Sequence, residues 1–310
     1  MGNQIDKNAQ GEKGMSYQYK LLGVVTLYNP DTRKAIDNIK RYAYELDALI
    51  IWDNSPLEAD YRHQILTELS DITDRIIWHG TGENLCIAPA INYGWHYAIQ
   101  ERYDMLLIMD QDSQWDSFSN YRQQVEHYWS NGNKWVFTPY IKGYDNWLAT
   151  APVCNRRVFI NSGTIIPIEI LNAIHGADEA FPLDALDHDL SYRILKAHYQ
   201  VVCITKCILN HTIGKPRRSK FLHIVTNDYG RERTYSKTKC HIMNYRRHRD
   251  VMTLKEQYIF FKRIFISKFF RIILVEEDKV GRLGMFFKGI KDGLTYQFNK
   301  SSSVKPHSNE

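Results

Sequence analysis

No apolar run in this 310-residue chain approaches the roughly 18 residues that a membrane-spanning helix needs. Cysteine is scarce. Five residues, at 86, 154, 203, 207 and 240, form an odd and scattered set with no CxxC pair, so neither a disulfide framework nor a zinc site of ordinary spacing is expected. They read as reduced, mostly buried thiols of a cytosolic protein. The opening stretch MGNQIDKNAQGEKGMSYQYK has no apolar core of the kind a secretion signal carries, and reads as a loose tail. Neither GxGxxG nor GxxxxGK[ST] follows the first β-rich run, which argues against a dinucleotide fold and a P-loop. No RNA-recognition, helix-turn-helix or zinc-finger pattern occurs either, so nucleic acid is not an expected partner.

The composition is that of a globular protein, 44% hydrophobic and 24% charged, but the charge is divided unevenly. Residues 1–214 hold 18 Lys and Arg against 26 Asp and Glu, a net −8, whereas residues 215–310 hold 22 against 9, a net +13. Two parts with different work are expected. In the first part β-rich runs at 21–28, 48–54, 75–80, 105–110 and 134–140 alternate with stretches of helical length at 31–45, 59–70, 88–101 and 117–130. That rhythm predicts βαβ units, a mainly parallel sheet and helices on both faces. Ligands of such sheets sit beyond the carboxyl ends of the strands. Polar clusters stand at three of those ends: Thr26-Leu27-Tyr28-Asn29, Asp53-Asn54-Ser55 and Asp110-Gln111-Asp112.

The last cluster closes the run LLIMDQDSQW. Carboxylates at i and i+2 of an extended segment share a side, and two charges that close repel unless a cation lies between them. A solvated acidic turn is the plainer reading of the same spacing. Haloacid dehalogenase phosphatases also carry a DxD pair, but after their first core strand and running into a threonine turn; here it follows the fourth strand and continues Ser-Gln-Trp. Further on, NSGTIIP (161–167) reads as a turn entering a short strand. LDALDHDLSYRILKAHY (183–199) reads as a helix, acidic at its start and basic towards its end. QVVCITKCILNHTIG (200–214) reads as β-rich, and helical patterning then continues to about 295.

The ordered set VVTLYNP, IIWDNSP, ENLCIAPAINYG, LLIMDQDS, NSGTIIP, LDALDHDLSYRI and NHTIG resembles the inverting GT-A glycosyltransferases of family 2, with the rhamnosyltransferase branch as the nearest likeness. The resemblance spans roughly residues 20–300. It implies a GT-A α/β fold, a Rossmann-like mainly parallel sheet flanked by helices, with a basic helical extension at the C-terminus. The divisions it suggests are a flexible tail (1–19), a catalytic domain (20–215, nucleotide-binding half 20–140 and acceptor half 141–215), a basic helical region (216–298) and a disordered tail (299–310). By the same likeness Thr26, Tyr28 and Asp53 line the nucleotide-base pocket, and Asn84 and Asn92 flank the donor. Asp110 faces the ribose or the metal, Asp112 binds Mg2+ or Mn2+, and His211 is a third protein ligand. Asp187 is the general base, six residues before Arg193. A helix through 183–199 would put Asp184 on the face of Asp187 and turn Asp189 away.

The implied reaction is transfer of a sugar, L-rhamnose from dTDP-rhamnose, to a growing lipid-linked oligosaccharide of a surface polysaccharide. A UDP-hexose donor such as UDP-galactose, or a non-catalytic binding module on the same fold, are the alternatives. The basic, aromatic stretch YIFFKRIFISKFFRIILV (258–275) is expected to hold the protein peripherally at the inner face of the cell membrane. Three departures from the family pattern stand out: Cys86 in place of a usual Gly, which predicts a less permissive backbone, Asp189 where relatives often carry Glu, and a loose match over 235–248.

Overall fold

The computed structural model describes residues 18–56, 61–145, 151–211, 217–218, 225–226 and 230–298. Nearly all of the two expected tails, and Thr212–Gly214 of the NHTIG motif, lie outside these residues.

Strands β1 (Leu21–Leu27), β2 (Ala48–Asp53), β3 (Ile76–Gly80) and β4 (Met105–Asp110) form a parallel block in the order β3-β2-β1-β4. Helices α1 (Thr32–Ala43), α2 (Arg62–Glu68) and α3 (Ala88–Gln100) connect them. β1, β2 and β4 are apolar and buried along almost their whole length, as strands covered on both faces must be. Helix α1 shows the local logic. The Asp31 side chain caps its start by accepting from the Lys34 N–H, Lys40 and Arg41 sit in its last turn, and Ala35, Ile36, Ile39, Tyr42 and Ala43 make the buried stripe.

Beyond β4 come β5 (Ser113–Trp115), α4 (Phe118–Ser130), β6 (Trp135–Lys142), β7 (Val153–Arg156) and β8 (Thr164–Pro167). The segment from 168 to 211 adds α5 (Ile168–Ile174), α6 (Leu186–Lys196) and β9 (Gln200–His211). β8 enters antiparallel between β4 and β6, and the sheet continues β6-β9-β5 with β7 also on β9. One buried layer lies between the sheet and α1, α2 and α4, through Ile36, Ile65 and Phe118; the other lies under α3, α5 and α6, through Ile91, Leu171 and Leu190. The sheet is therefore mainly parallel with helices on both faces. Helix α6 begins later than the sequence predicts. Ala185 takes a left-handed conformation, φ 61°, so Asp184 precedes the helix and does not share a helical face with Asp187.

The C-terminal part is helical as expected: α7 (Arg231–His248), α8 (Leu254–Phe261), a π-helical turn over Lys262–Ser267, α9 (Lys268–Leu274) and α10 (Lys279–Thr295). α8 starts with a capping box between Thr253 and Glu256. α10 lies directly on α7 at two glycines: a Cβ at Gly289 would come within 2.8 Å of the Tyr235 carbonyl oxygen, and one at Gly293 within 2.9 Å of that of Lys239. Ile264 and Ile272 are buried, while Tyr258, Phe261, Ile266, Phe270 and Leu274 are exposed on the same run. No helix among the described residues is long and apolar enough to cross a membrane.

Candidate active site

The strand register sets the site. Thr26 of β1 lies opposite Asp110 of β4 on one side and Trp52 of β2 on the other, and Leu27 lies opposite Asp53, so the polar strand ends reach one rim. Antiparallel pairing of β5 with β9 puts Ser113 opposite His211. The consequence is a cluster: Asp110, Asp112 and His211 each offer a ligand atom, all within 4.8 Å of one another.

A hydrogen-bond chain orients that cluster. The Asp110 N–H donates to Ser162 Oγ (3.1 Å), the Ser162 hydroxyl donates to Ser113 Oγ (2.7 Å), and Ser113 Oγ lies 2.8 Å from His211 Nδ1. The same Nδ1 lies 3.7 Å from Asp112 Oδ1, so the imidazole is held against both Ser113 and the exposed carboxylate. Ser162 is placed by the turn at Gly163, whose φ of 80° suits glycine and whose N–H donates to the Ile108 carbonyl (2.8 Å). Burial pushes the Asp110 carboxyl up to about 6; His211 opposes this, while Asp112 and Asp187 add to it. Two carboxylates crowded beside one imidazole are a donor set that a divalent cation would relieve.

Gln111, between the two aspartates, joins this cluster to the β1 rim. Its side chain accepts from the Tyr28 N–H (2.8 Å) and donates to the Tyr28 carbonyl (3.2 Å), and its own carbonyl accepts from Asn38 Nδ2 (2.9 Å). Tyr28 itself is half exposed at the rim. At the end of β2, Asp53 Oδ1 accepts from the Ser55 N–H (2.9 Å) and from the Tyr61 hydroxyl. Among the described residues Oδ2 has no hydrogen-bond partner and remains available. Burial and the bond to Asp53 push the Tyr61 hydroxyl well up, so it stays a donor.

The loop before α3 is held by Asn54, which is buried. Its Nδ2 donates to the Cys86 carbonyl (2.9 Å), and its Oδ1 accepts from the Leu85 N–H and Trp52 Nε1, each at 3.0 Å. Cys86 has φ 65°, so this non-glycine residue adopts the conformation that glycine would favour, contrary to the less permissive backbone its identity predicts. Asn84 is exposed and accepts from the Cys86 N–H, a local turn contact. The Asn92 amide is committed elsewhere. It donates to the Ala177 carbonyl and to Glu179, and accepts from the Ala177 N–H, tying α3 to the turn after α5.

The three acidic residues around the start of α6 have separate environments. Asp184 is buried and accepts from Ser236 Oγ on α7 (3.1 Å). Asp189 is fully buried and accepts from Arg193 Nε (2.7 Å), His248 Nε2 (2.9 Å) and Arg247 Nη1 (3.2 Å). Asp187 is half-buried; Oδ1 accepts from the His188 N–H (2.9 Å), and its charge acts on Asp110 across the cleft. Of the three it alone is neither salt-bridged nor enclosed. Sequence reasoning missed Ser113, Ser162, Gln111, Asn54 and Tyr61 as site residues. The first four stand inside the motifs already singled out, where their small polar side chains were the available signal.

No family model matches the chain, and no curated protein does. Solved structures do. Staphylococcus aureus TarS 1–349, in complex with UDP-GlcNAc, superposes with a TM-score of 0.56 at 12% identity, over 87% of this chain and 81% of that one. The mannosyltransferase PcManGT of Pyrobaculum calidifontis, in complex with GDP-Man and Mn2+, gives 0.55 at 11% identity, over 91% and 77%. GalNAc-T7 with UDP, GalNAc and Mn2+ gives 0.58 at 12%, over 89% of this chain and 56% of that one. The fold is GT-A. At such identity the likeness speaks for the fold, and the chemistry has to be argued from the site.

Proposed function

We propose that this chain is a metal-dependent inverting glycosyltransferase that moves L-rhamnose from dTDP-rhamnose to a growing, lipid-linked surface polysaccharide. The observation that carries the reading is the closure of Asp110, Asp112 and His211 into one ligand cluster at the carboxyl rim of a GT-A sheet, joined to the β1 rim by Gln111. The rhamnosyl donor rests on the seven-motif resemblance, DQDS above all. The mixed carboxylate and imidazole set favours Mn2+ over Mg2+, since imidazole is a poor magnesium ligand. Structures of two similarly folded proteins contain Mn2+.

The residue roles are those the resemblance implies. Asp53 Oδ2 accepts from the imide N–H of the base, and Thr26 and Tyr28 flank that base at the β1 end. A divalent cation held by Asp110, Asp112 and His211 would stabilise the charge that develops on the departing diphosphate. Asp187 takes the proton of the acceptor hydroxyl while that oxygen bonds the anomeric carbon and the bond to the diphosphate breaks, one displacement with inversion. Asn84 and Asn92 position the loop and the helix beside the donor. The exposed apolar residues of α8 and α9, interleaved with Lys262, Arg263, Lys268 and Arg271, would keep the protein at the membrane face that carries the acceptor.

The test is donor hydrolysis with a panel of dTDP- and UDP-sugars, in Mn2+ and in EDTA. Release of nucleoside diphosphate from dTDP-rhamnose in Mn2+, abolished by EDTA, supports the reading. Equal release in EDTA overturns the metal assignment, and preference for UDP-galactose transfers the donor to the hexose alternative.

A further inference from the structure

A cavity of about 500 Å3 opens between α6, α7, α8 and α9, and none of the proposed donor, metal or base residues lines it. It is of ligand-pocket size. Six of its lining residues are basic in type: His188, Lys237, His241, Arg263, Lys268 and Arg271. They converge from four different helical segments, so no one solvated helix face explains the grouping. The cavity also holds two carboxylates, and both are already answered. Glu276 pairs with Lys268 (3.4 Å) and Arg282 (3.1 Å), and Glu256 pairs with Arg157 (3.0 Å). Among the described residues Arg263 and Arg271 have no ion-pair partner, and both are exposed, which places them at the mouth.

The interior is costly to charge. Burial pushes the Lys237 ammonium down, with Arg233 and Arg263 adding to the effect and Asp184 and Asp187 opposing it. Burial likewise pushes His241 far down, with His188, Lys237 and Arg263 adding to it. An anion of two or more charges at the mouth would meet Arg263 and Arg271 together. Its neighbours suggest what carries that anion. Ile259 and Phe260 line the same cavity, and Tyr258, Phe261, Ile266, Phe270 and Leu274 lie exposed on the segment that forms its wall. A charged head inside and an apolar strip outside describe an amphipathic lipid. Position adds a further point: His188 follows Asp187 and donates its N–H to that carboxylate, so the cavity begins one residue from the proposed base.

We propose that this cavity binds the diphosphate head of an isoprenoid lipid, with the lipid chain leaving over α8 and α9, and that it thereby anchors the acceptor beside Asp187. The acceptor assignment rests on the glycosyltransferase reading; the anion site does not. Farnesyl diphosphate titrated calorimetrically into the full chain in EDTA is the probe, because chelation removes metal-held diphosphate. Saturable binding is expected, weakened at least tenfold in R263Q/R271Q, largely kept in R263K/R271K and unchanged in Asp112→Asn. No binding to the wild-type chain, or equal binding to the glutamine double variant, would overturn the site. Two further ligands identify the source of the anion. Inorganic pyrophosphate should bind more weakly than farnesyl diphosphate, and short-chain phosphatidylglycerol more weakly still; a phosphatidylglycerol affinity equal to that of farnesyl diphosphate would overturn the acceptor assignment in favour of a general headgroup site. Failure of the wild-type chain to bind dTDP or UDP with Mn2+, alongside intact farnesyl diphosphate binding, would sink the donor reading and leave the anion site supported.

Discussion

The Asp112 side chain is 53% exposed, against 12% for His211, so its charge serves the cleft more than the fold. Asp112→Ala should therefore leave the unfolding transition within about 0.5 kcal/mol of wild type. It should abolish the Mn2+-dependent part of donor binding and cut turnover at least about a hundredfold, given the Lewis-acid contribution. Calorimetry with and without Mn2+ checks this, and retained metal dependence would reassign the cation. Asp187→Asn should do the opposite to the two observables: donor and Mn2+ affinity near wild type, turnover down by about 10²–10⁴. Near-normal transfer would remove it as base. Asp184 is no rival one helical turn upstream, because Ser236 already uses it as a bond between α7 and the turn that precedes α6. Cys86 carries a cost of a different kind. A side chain in the left-handed region costs roughly 1–2 kcal/mol, and glycine's greater unfolded entropy returns roughly 0.5–1 of that. Cys86→Gly should raise unfolding free energy by about 0.5–1 kcal/mol in urea, and an unchanged or lower value would show that the thiol's packing compensates.

At the scale of elements, α6 and α7 are clamped by one buried carboxylate. Burial alone would raise the Asp189 pKa, but Arg193, His248 and Arg247 together outweigh it and hold the group below its usual range. A depressed folded pKa means stability that is present above the unfolded value, about 4, and lost as pH falls towards the lower folded one. His248, pushed down chiefly by burial, also loses stability as pH falls below about 6.5, the value of a free histidine. Thermal melts should thus decline below about pH 6.5 and steepen below about 4. Asp189→Asn, which leaves the Arg193 guanidinium and the His248 imidazole without this anion while Arg247 keeps Asp178, should cost about 3–5 kcal/mol at pH 7 and flatten the lower limb. The same elements mark how far the sequence could be read. β1 to β4 and α1 to α4 were legible because apolar runs and amphipathic stretches alternate and end on polar residues. Spacing alone put the Asp110 and Asp112 carboxylates on one side of the chain, without choosing between a ligand pair and a solvated turn. The start of α6 was not, since alanine at a left-handed position carries no local signal. Nor was the contact of Ser113 with His211, which depends on an antiparallel register set 98 residues apart in the chain. Tyr61 over Asp53 is of the same kind, a tertiary contact with no periodicity behind it.

For the molecule as a whole, the division between an acidic body and a basic helical extension should govern where it works. The full chain should sediment with anionic vesicles at low salt, at around 1 kcal/mol per basic residue close to the surface, and should be partly released by 0.5 M salt as the Debye length shrinks to a few Å. Failure to sediment at low salt would remove the membrane from the account. The apolar residues of α8 and α9 predict that release by salt is incomplete. The two glycines of α10 bear on what happens once the protein is bound. With no side chain at Gly289 or Gly293, the α10 backbone packs directly on α7, where an added Cβ would clash. α7 in turn is bonded to α6 through Asp189, and to the turn before α6 through Asp184. If α8 and α9 rest on lipid and Asp187 meets the acceptor, as proposed, they would be rungs of one ladder, and the height of the reaction above the bilayer would be a fixed dimension. Such a protein would act as a ruler, adding its sugar where the growing glycan reaches that height and passing over chains too short or too long to present their end there.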